Sequence, residues 1–452
     1  SSNPVSSQAA QSYPAWDRTQ LQGALERARD VQVEWRRSEF EARAVLLTRT
    51  ADRLRERRDQ YAALITRETG KVLRESLAEI DKCALVCDYY AVHGQFFLDD
   101  EIINTDAGKS YVAYQPMGTI LGVMALDFPF WHVFRFAAPV LMAGNAICLK
   151  PAPRAPECAM AIEALLREAG FPVGVFTTVL IDNETVADAV ANACVHGVSV
   201  TGSEATGRRI AAVAGQNLKK CVLQLGGSDA FIVLRDANLN ECVKHAVASR
   251  FLNCGQSAIA AKRLILVPEI ADEFLERFKA EVSTMKVGDP LDPETDLGPM
   301  SSMEARDELH RQVTDSLAAG AIAEMGCQLP TGAGAYYPAS ILDDVTPRTR
   351  AYHEELYGPV AVIIRAKNDA DAIRIANDSR FALGASIWSE DFNHAETIAR
   401  ELVADTCFVN GIVKSDPRLP YGGTKASGMG RELSYHGIRE FTNVKTVWVR
   451  DR

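Results

Sequence analysis

Beyond Thr119 the chain settles into a rhythm that leaves little choice of fold. Short apolar runs alternate with helical stretches: "TILGVMAL", "NAICLKPA", "FTTVLI" and "HGVSVTGS" are interleaved with "PECAMAIEALLREAG" and "EATGRRIAAVAG". The runs are continuously apolar rather than alternating. Strands that read this way are buried on both faces, as in a parallel sheet with helices on either side. A second series starts near Asp229 with "DAFIVL", the helix "NECVKHAVASRFLNCG", "KRLILV" and a helix to Met285. It ends with "GPVAVIIRAK", "ASIWS" and "CFVNG". Two α/β lobes are expected.

Ahead of this rhythm lie amphipathic helices. Leu21, Leu25, Ala28 and Val31 recur at helical spacing. "EARAVLLTRTADRLRERRDQYAALITRETG" predicts a second, charged helix and "RESLAEIDKCALVCDYYAVHG" a third. Between them and the first lobe, "KSYVAYQPMG" is short, alternating and Pro/Gly-terminated, so it predicts a hairpin-like strand segment. The tail "NVKTVWVR" alternates too. These two make an outlying β element.

The 452 residues are 47% hydrophobic and 24% charged, enough for a large core. A net charge of -10 argues against nucleic-acid or anionic-membrane partners. No apolar run reaches the roughly 20 residues of a membrane span. The polar start "SSNPVSSQAAQSYPAW" lacks the apolar core of a signal peptide, so a cytoplasmic location is expected. The ten cysteines form no CxxC pair, and they read as buried small hydrophobes in a reduced compartment. No metal site is expected.

Single motifs are weak. "VTGSEATGRR" places Gly202, Ser203 and Gly207 at a strand-to-helix turn, where a helix N-terminus favours phosphate; a tight turn without a ligand has the same pattern. "CLKPAP" puts Lys150 at a strand's carboxyl end, where open parallel sheets bind ligands or simply meet solvent. "EELYGPV" reads equally as a paired acid or a charged turn.

Taken in order, "CLKP", "TGSxxxG", "LGGSD", "NCGQS", "EELYGPV", "FVNG" and "GGTKASGMGRE" resemble the aldehyde dehydrogenase superfamily. The resemblance runs from Asp17 to the C-terminus and is closest to the succinate-semialdehyde dehydrogenase branch. It implies two Rossmann-like parallel-sheet lobes and a small β oligomerisation element. The expected bounds are 1–104 and 117–226 for the dinucleotide-binding lobe, 227–430 for the catalytic-type lobe, and 105–116 with 431–452 for oligomerisation. A homodimer or homotetramer follows. NAD or NADP is the implied cofactor. Lys150, Gly202, Ser203, Gly207, Gly227 and Glu355 match positions for ribose and phosphate contacts and close-packed turns. Tyr357 stands beside the nicotinamide. Pro153 stands where NAD-preferring members carry an acid, so NAD versus NADP stays open.

The resemblance also exposes departures. Active members need a cysteine nucleophile, a glutamate base and an asparagine oxyanion donor. Their patterns map onto Ala258, Gln224 and Asp127. Ser257 is adjacent to the nucleophile position, and Cys254 lies four residues before it. On the substrate side the resemblance places Phe128, His132, Arg135, Ser415 and Tyr421 along the tunnel, with Arg135 or Ser415 to hold a carboxylate.

Three readings follow. In the leading one, Cys-dependent aldehyde oxidation is lost. Asp127, His132 and Lys150 serve instead as acid and base for non-redox proton transfer on a small carbonyl compound: enolisation, dehydration, cyclisation or imine chemistry. In the second the chain is a non-catalytic pseudoenzyme or binding partner. In the third it is an engineered, inactive NAD(P)-dependent semialdehyde dehydrogenase.

Overall fold

The computed structural model describes residues 4–5 and 13–450; most of the polar start, residues 1–3 and 6–12, lies outside them, as do 451–452. Every apolar run named above becomes a strand, and the strands form two parallel sheets. The first contains, in spatial order, Gly428–Met429, Lys220–Gln224, Gly197–Thr201, Thr119–Val123, Ala146–Lys150 and Phe176–Thr178. Among the described residues the Gly428–Met429 edge of this sheet is antiparallel, as is the Ile322–Met325 edge of the second. All five residues of Thr119–Val123 and of Ala146–Lys150 are buried, which is why these runs do not alternate. The second sheet runs Ile322–Met325, Ser340–Asp343, Val360–Arg365, Arg263–Leu266, Ala230–Val233, Gly384–Trp388 and Thr406–Val409. This is the α/β architecture expected.

Four strands of the two sheets escaped the sequence reading: Lys220–Gln224, Ile322–Met325, Ser340–Asp343 and Gly428–Met429. The first was visible only as an apolar run around Cys221. Ile322–Met325 is an edge strand that is largely exposed, so it carries no apolar signal.

The opening helix spans Arg18–Trp35 and starts with a reciprocal cap between Asp17 and Gln20. Leu21, Leu25 and Ala28 are buried beneath it, while Val31 is half-buried. The second predicted helix is two helices, Phe40–Glu56 and Arg58–Thr69, broken where Arg57 takes φ -110° and ψ 23°. Leu47, Ala51, Leu54, Tyr61, Ala62 and Ile65 are buried on both sides of the break. The apolar period continues through it, so pattern alone does not reveal it. Leu73–Leu98 then forms a 26-residue helix that lies along the first lobe.

The segment expected as a hairpin is not one. Lys109–Pro116 pairs over its whole length with the tail strand Thr442–Val449, from Lys109 opposite Val449 to Pro116 opposite Thr442. A third strand, Glu101–Ile102, joins on the other edge, ahead of the expected bound at 105. The sequence reading joined these two segments in one outlying β element, and their register bears that out. Among the described residues no helix is long and apolar enough to cross a membrane.

Candidate active site

One large cavity, about 1070 Å³, lies between the two parallel sheets. The helix Leu239–Phe251 leads into its floor through a short 3-10 turn, Leu252–Gly255. Asn253, Cys254 and Gly255 all have positive φ, at 53°, 54° and 69°. A Cβ on Gly255 would strike the Gly358 carbonyl, so glycine is required at this point. Arg250, fully buried, fixes the turn: Nε donates to Val360 O at 2.8 Å, Nη1 to Gly255 O at 3.3 Å and Nη2 to Leu356 O at 3.0 Å. Gln256 is held at both ends, donating to Asn253 O at 3.2 Å and accepting from Ser301 N–H at 2.8 Å. The chain then delivers Ser257 and Ala258 to the cavity wall.

Gln224 reaches the same space from the end of its strand. Both polar atoms of its side chain are buried without a hydrogen-bond partner among the described residues. A buried amide in that state costs stability unless a ligand or water meets it. Asp127 lines the opposite wall. Burial raises its carboxyl above the usual range, against a hydrogen bond from the Tyr357 hydroxyl that favours the charge. His132 Nδ1 lies 3.7 Å from Asp127 Oδ1. Burial, then the positive charge of Arg135, drives His132 well below its ordinary value, so its imidazole is neutral at pH 7.

The substrate-side residues converge as well. Phe128, Arg135, Ser415 and Tyr421 all line the cavity. Arg135 is not free: its guanidinium pairs with the buried carboxylate of Glu432, packs over the Tyr421 ring at 4.6 Å and donates to Thr201 Oγ1 at 3.3 Å. Ser415 Oγ accepts from Lys82 Nζ at 2.8 Å and from Trp131 Nε1 at 3.0 Å.

On the cofactor side, Gly202 and Ser203 border the cavity at the start of the helix Glu204–Gln216, with Ser203 as its N-cap. A Cβ on Gly202 would meet nothing within 4 Å, so the approach is open. A 13-residue helix whose N-terminus faces an open cavity suits a phosphate group. Gly207 and Gly227 lie outside the cavity lining and act in packing. An added Cβ would sit 2.6 Å from Leu225 in the first case and 2.6 Å from the Ala258 carbonyl oxygen in the second. Glu355 and Tyr357 do line the cavity. Glu355 Oε1 already accepts from Gly227 N–H at 3.1 Å and pairs with Lys262 Nζ at 3.0 Å.

Lys150 does not join Asp127 and His132. It lies outside the cavity lining, at the end of its strand, and its amine donates to Asn183 Oδ1 at 2.6 Å. The three-residue acid–base cluster expected from the sequence is therefore not assembled. Nor does Cys254 replace the missing thiol. It is outside the cavity lining, and burial pushes its pKa to about 12, so no thiolate forms near neutrality. No base is hydrogen-bonded to the Ser257 hydroxyl among the described residues.

The aldehyde dehydrogenase family profile matches residues 1–447. The chain belongs to the aldehyde dehydrogenase family. A probable succinate-semialdehyde dehydrogenase [NADP(+)] from Synechocystis sp. is 44% identical over 447 residues, covering 99% of this chain and 98% of that protein. The Escherichia coli succinate semialdehyde dehydrogenase [NAD(P)+] Sad is 43% identical, covering 100% of this chain and 97% of that protein. The solved structure of succinic semialdehyde dehydrogenase from Streptococcus pyogenes with NADP+ superposes with a TM-score of 0.97. It is 36% identical over 99% of both chains. These relatives bear out the family and branch read from the motifs.

They also overturn the leading functional reading. Proteins 41–44% identical along the whole chain are succinate-semialdehyde dehydrogenases. Non-redox proton transfer and a pseudoenzyme role find no support among them. The physical fault in that reading was to treat Asp127, His132 and Lys150 as one acid–base unit.

Two lysines were missed: Lys82, which lines the cavity, and Lys262, which is buried and donates to the Ser257 and Ala258 carbonyls. Lys262 follows "IAA" at a strand start and Lys82 sits in a charged helix, and the motifs single out neither. No sequence signal separates them from surface lysines; only their placement does.

Proposed function

We propose that this site serves NAD(P)-dependent oxidation of a small semialdehyde, an aldehyde with a carboxylate at its far end. It takes its NAD(P)-dependent semialdehyde chemistry from the third reading of the sequence, the engineered, inactive semialdehyde dehydrogenase. The observation that carries it is the continuity of the cavity. One space joins a phosphate-ready helix N-terminus at Gly202 and Ser203, the turn bearing Ala258, and a polar end at Ser415. The full-length relatives support it.

The dinucleotide fits the residues present. The N-terminus of Glu204–Gln216 faces its phosphates, and the unpartnered Gln224 amide faces the space beside it. When bound, the nicotinamide supplies a two-electron acceptor. The chain's own residues bind and orient. Tyr357 and Phe128 wall the aldehyde from water, and the rigid 253–258 turn sets where position 258 meets the carbonyl. A thiolate at 258, a carboxylate at 224 and an amide at 127 would carry attack, water activation and oxyanion stabilisation. This chain holds Ala258, Gln224 and Asp127 at those positions.

NADP is the dinucleotide proposed, since Pro153 presents no carboxylate to repel a 2′-phosphate. The proposal includes the lobe bounds given above and a cytoplasmic location, where ten free cysteines stay reduced. It also includes a homodimer or homotetramer built on the three-stranded sheet, whose outer residues Val444, Trp448 and Val449 are exposed.

The test is a triple variant, Asp127→Asn, Gln224→Glu and Ala258→Cys, assayed for NADPH formation with succinic semialdehyde. Turnover is expected. A folded triple variant that binds NADP+ yet stays inert overturns the proposal.

A further inference from the structure

We propose that Lys262 is a positioning residue for the oxidation above: its one ammonium aims the Ala258 N–H into the cavity and fixes Glu355 so that a single oxygen faces the cofactor space. This rests on the semialdehyde reading and names the group that joins the two halves of its site.

The Lys262 side chain is 2% exposed and lies behind the cavity, outside its lining. An ammonium has three hydrogens to donate. All three are spent: on Ser257 O at 2.6 Å, on Ala258 O at 2.8 Å and on Glu355 Oε1 at 3.0 Å. No hydrogen is left over, so the amine holds its neighbours rather than meeting a ligand. The chain has no cis peptide bond among the described residues, and in a planar trans peptide the carbonyl and the next N–H point in opposite directions. Lys262 draws Ser257 O to the side away from the cavity. The Ala258 N–H is thereby turned toward the space that Ser257 and Ala258 line, and no acceptor among the described residues meets it. Ala260 N–H also reaches Ser257 O, at 3.2 Å, but no second donor among the described residues meets the Ala258 carbonyl. A backbone N–H aimed this way stabilises charge developing on a carbonyl oxygen. It matters more in this chain, because Asp127 offers no amide to share the task.

The third bond works on the acid. Glu355 Oε1 accepts from Lys262 and from Gly227 N–H at 3.1 Å, and Oε2 has no donor among the described residues. Oε2 lies over Gly226, where a Cβ would strike it. Glycine at 226 thus leaves room for one carboxylate oxygen on the cavity wall, and a ribose hydroxyl is a donor that suits it. A Cβ on Gly227 would stand 2.6 Å from the Ala258 carbonyl oxygen, so this glycine packs directly on the peptide that Lys262 holds. The acid and the 258 turn come from separate segments of the chain and share one amine.

The experiment compares the full native chain with Lys262→Met, which keeps the length of the side chain and removes its donors. Crystal structures with NADP+ read the peptide: Lys262→Met is expected to rotate the Ser257–Ala258 plane and turn the N–H from the cavity. Calorimetry reads the acid. NADP+ binding is expected to weaken at least ~10-fold in Lys262→Met, as for a lost charged hydrogen bond. On a Glu355→Gln background the same change should cost little further affinity, because the acid it acts through is gone. An unrotated peptide overturns the aiming role, and an affinity loss equal on both backgrounds overturns the role through Glu355; either result sinks the proposal. Should Lys262→Met alone fail to fold, the Lys262→Met, Glu355→Gln double variant leaves no unpaired carboxylate beside the turn, and its peptide orientation decides. In the Asp127→Asn, Gln224→Glu, Ala258→Cys chain, adding Lys262→Met should lower kcat by ~100-fold and move KM little, as for a lost oxyanion donor. If that chain is inert before the addition, the semialdehyde reading falls, and the peptide and affinity outcomes still judge Lys262.

Discussion

The Lys262 ammonium lies 3.0 Å from Glu355 Oε1 and donates to the Ser257 and Ala258 carbonyls at 2.6 and 2.8 Å. One buried amine thus ties the turn that carries position 258 to the acid on the opposite side of the cofactor space. Lys262→Met would leave Glu355 unpaired and both carbonyls unmet. Breaking a buried pair from one side costs about 3–5 kcal/mol. Denaturant unfolding should show a loss of that order, and Glu355→Gln should cost clearly less because the amide still accepts from Lys262. Equal stability of Lys262→Met and the native chain would mean the network is not structural.

Gly255 offers a sharper probe of the same turn. Its φ of +69° and the close Gly358 carbonyl exclude a side chain. Gly255→Ala is expected to lower stability by more than about 1 kcal/mol, beyond the ordinary gain from restricting the unfolded chain. Thermal unfolding with and without NADP+ measures it. A stabilised variant would contradict the left-handed geometry.

Asp229 sets a pH dependence. Its carboxyl is fully enclosed, accepts from Gly384 N–H at 3.0 Å through Oδ1 and leaves Oδ2 without a partner. Burial raises its pKa to about 7. The folded chain therefore holds this proton more tightly than the unfolded chain, where the value is about 3.9. Below about pH 4 both states are protonated and the group has no effect. As pH rises from about 4 to about 7 the unfolded chain ionises first, and stability falls by up to about 4 kcal/mol. Asp229→Asn should flatten that decline in urea-unfolding midpoints measured from pH 5 to pH 8.

Ala258→Cys by itself should not restore oxidation. Gln224 cannot take a proton from water, and an ionised Asp127 repels the developing oxyanion. Each missing partner is worth on the order of 10²-fold or more. NADPH formation with succinic semialdehyde should stay at least ~100-fold below the triple variant. Comparable rates would show that positions 127 and 224 matter less than their location implies.

Much of the site was legible in advance because motif order is local. "NCGQS" announces the turn, "TGSEATG" the helix N-terminus, and "FPFWHVFR" the cavity-lining helix. Asp127, Gln224 and Ala258, read from three separate segments, meet around one space. Two things stayed hidden. Lys150 seemed to belong with Asp127 and His132, since a lysine at a strand end gives no sign of which lobe it faces. Lys82 carried no sequence signal that it lines the cavity, since amphipathic spacing reports the helix face and not what packs on it.

The division has a physical origin. Apolar period, glycine placement and helix caps act over a few residues, so the sequence alone determined most of the strands of the two sheets, the family and the residues at positions 127, 224 and 258. Charge pairing acts through space. Arg135 and Glu432, like Lys82 and Ser415, lie far apart along the chain and meet only when distant elements pack together. Which cation is neutralised and which is left to meet a substrate is fixed by that packing, and only the tertiary structure decided it.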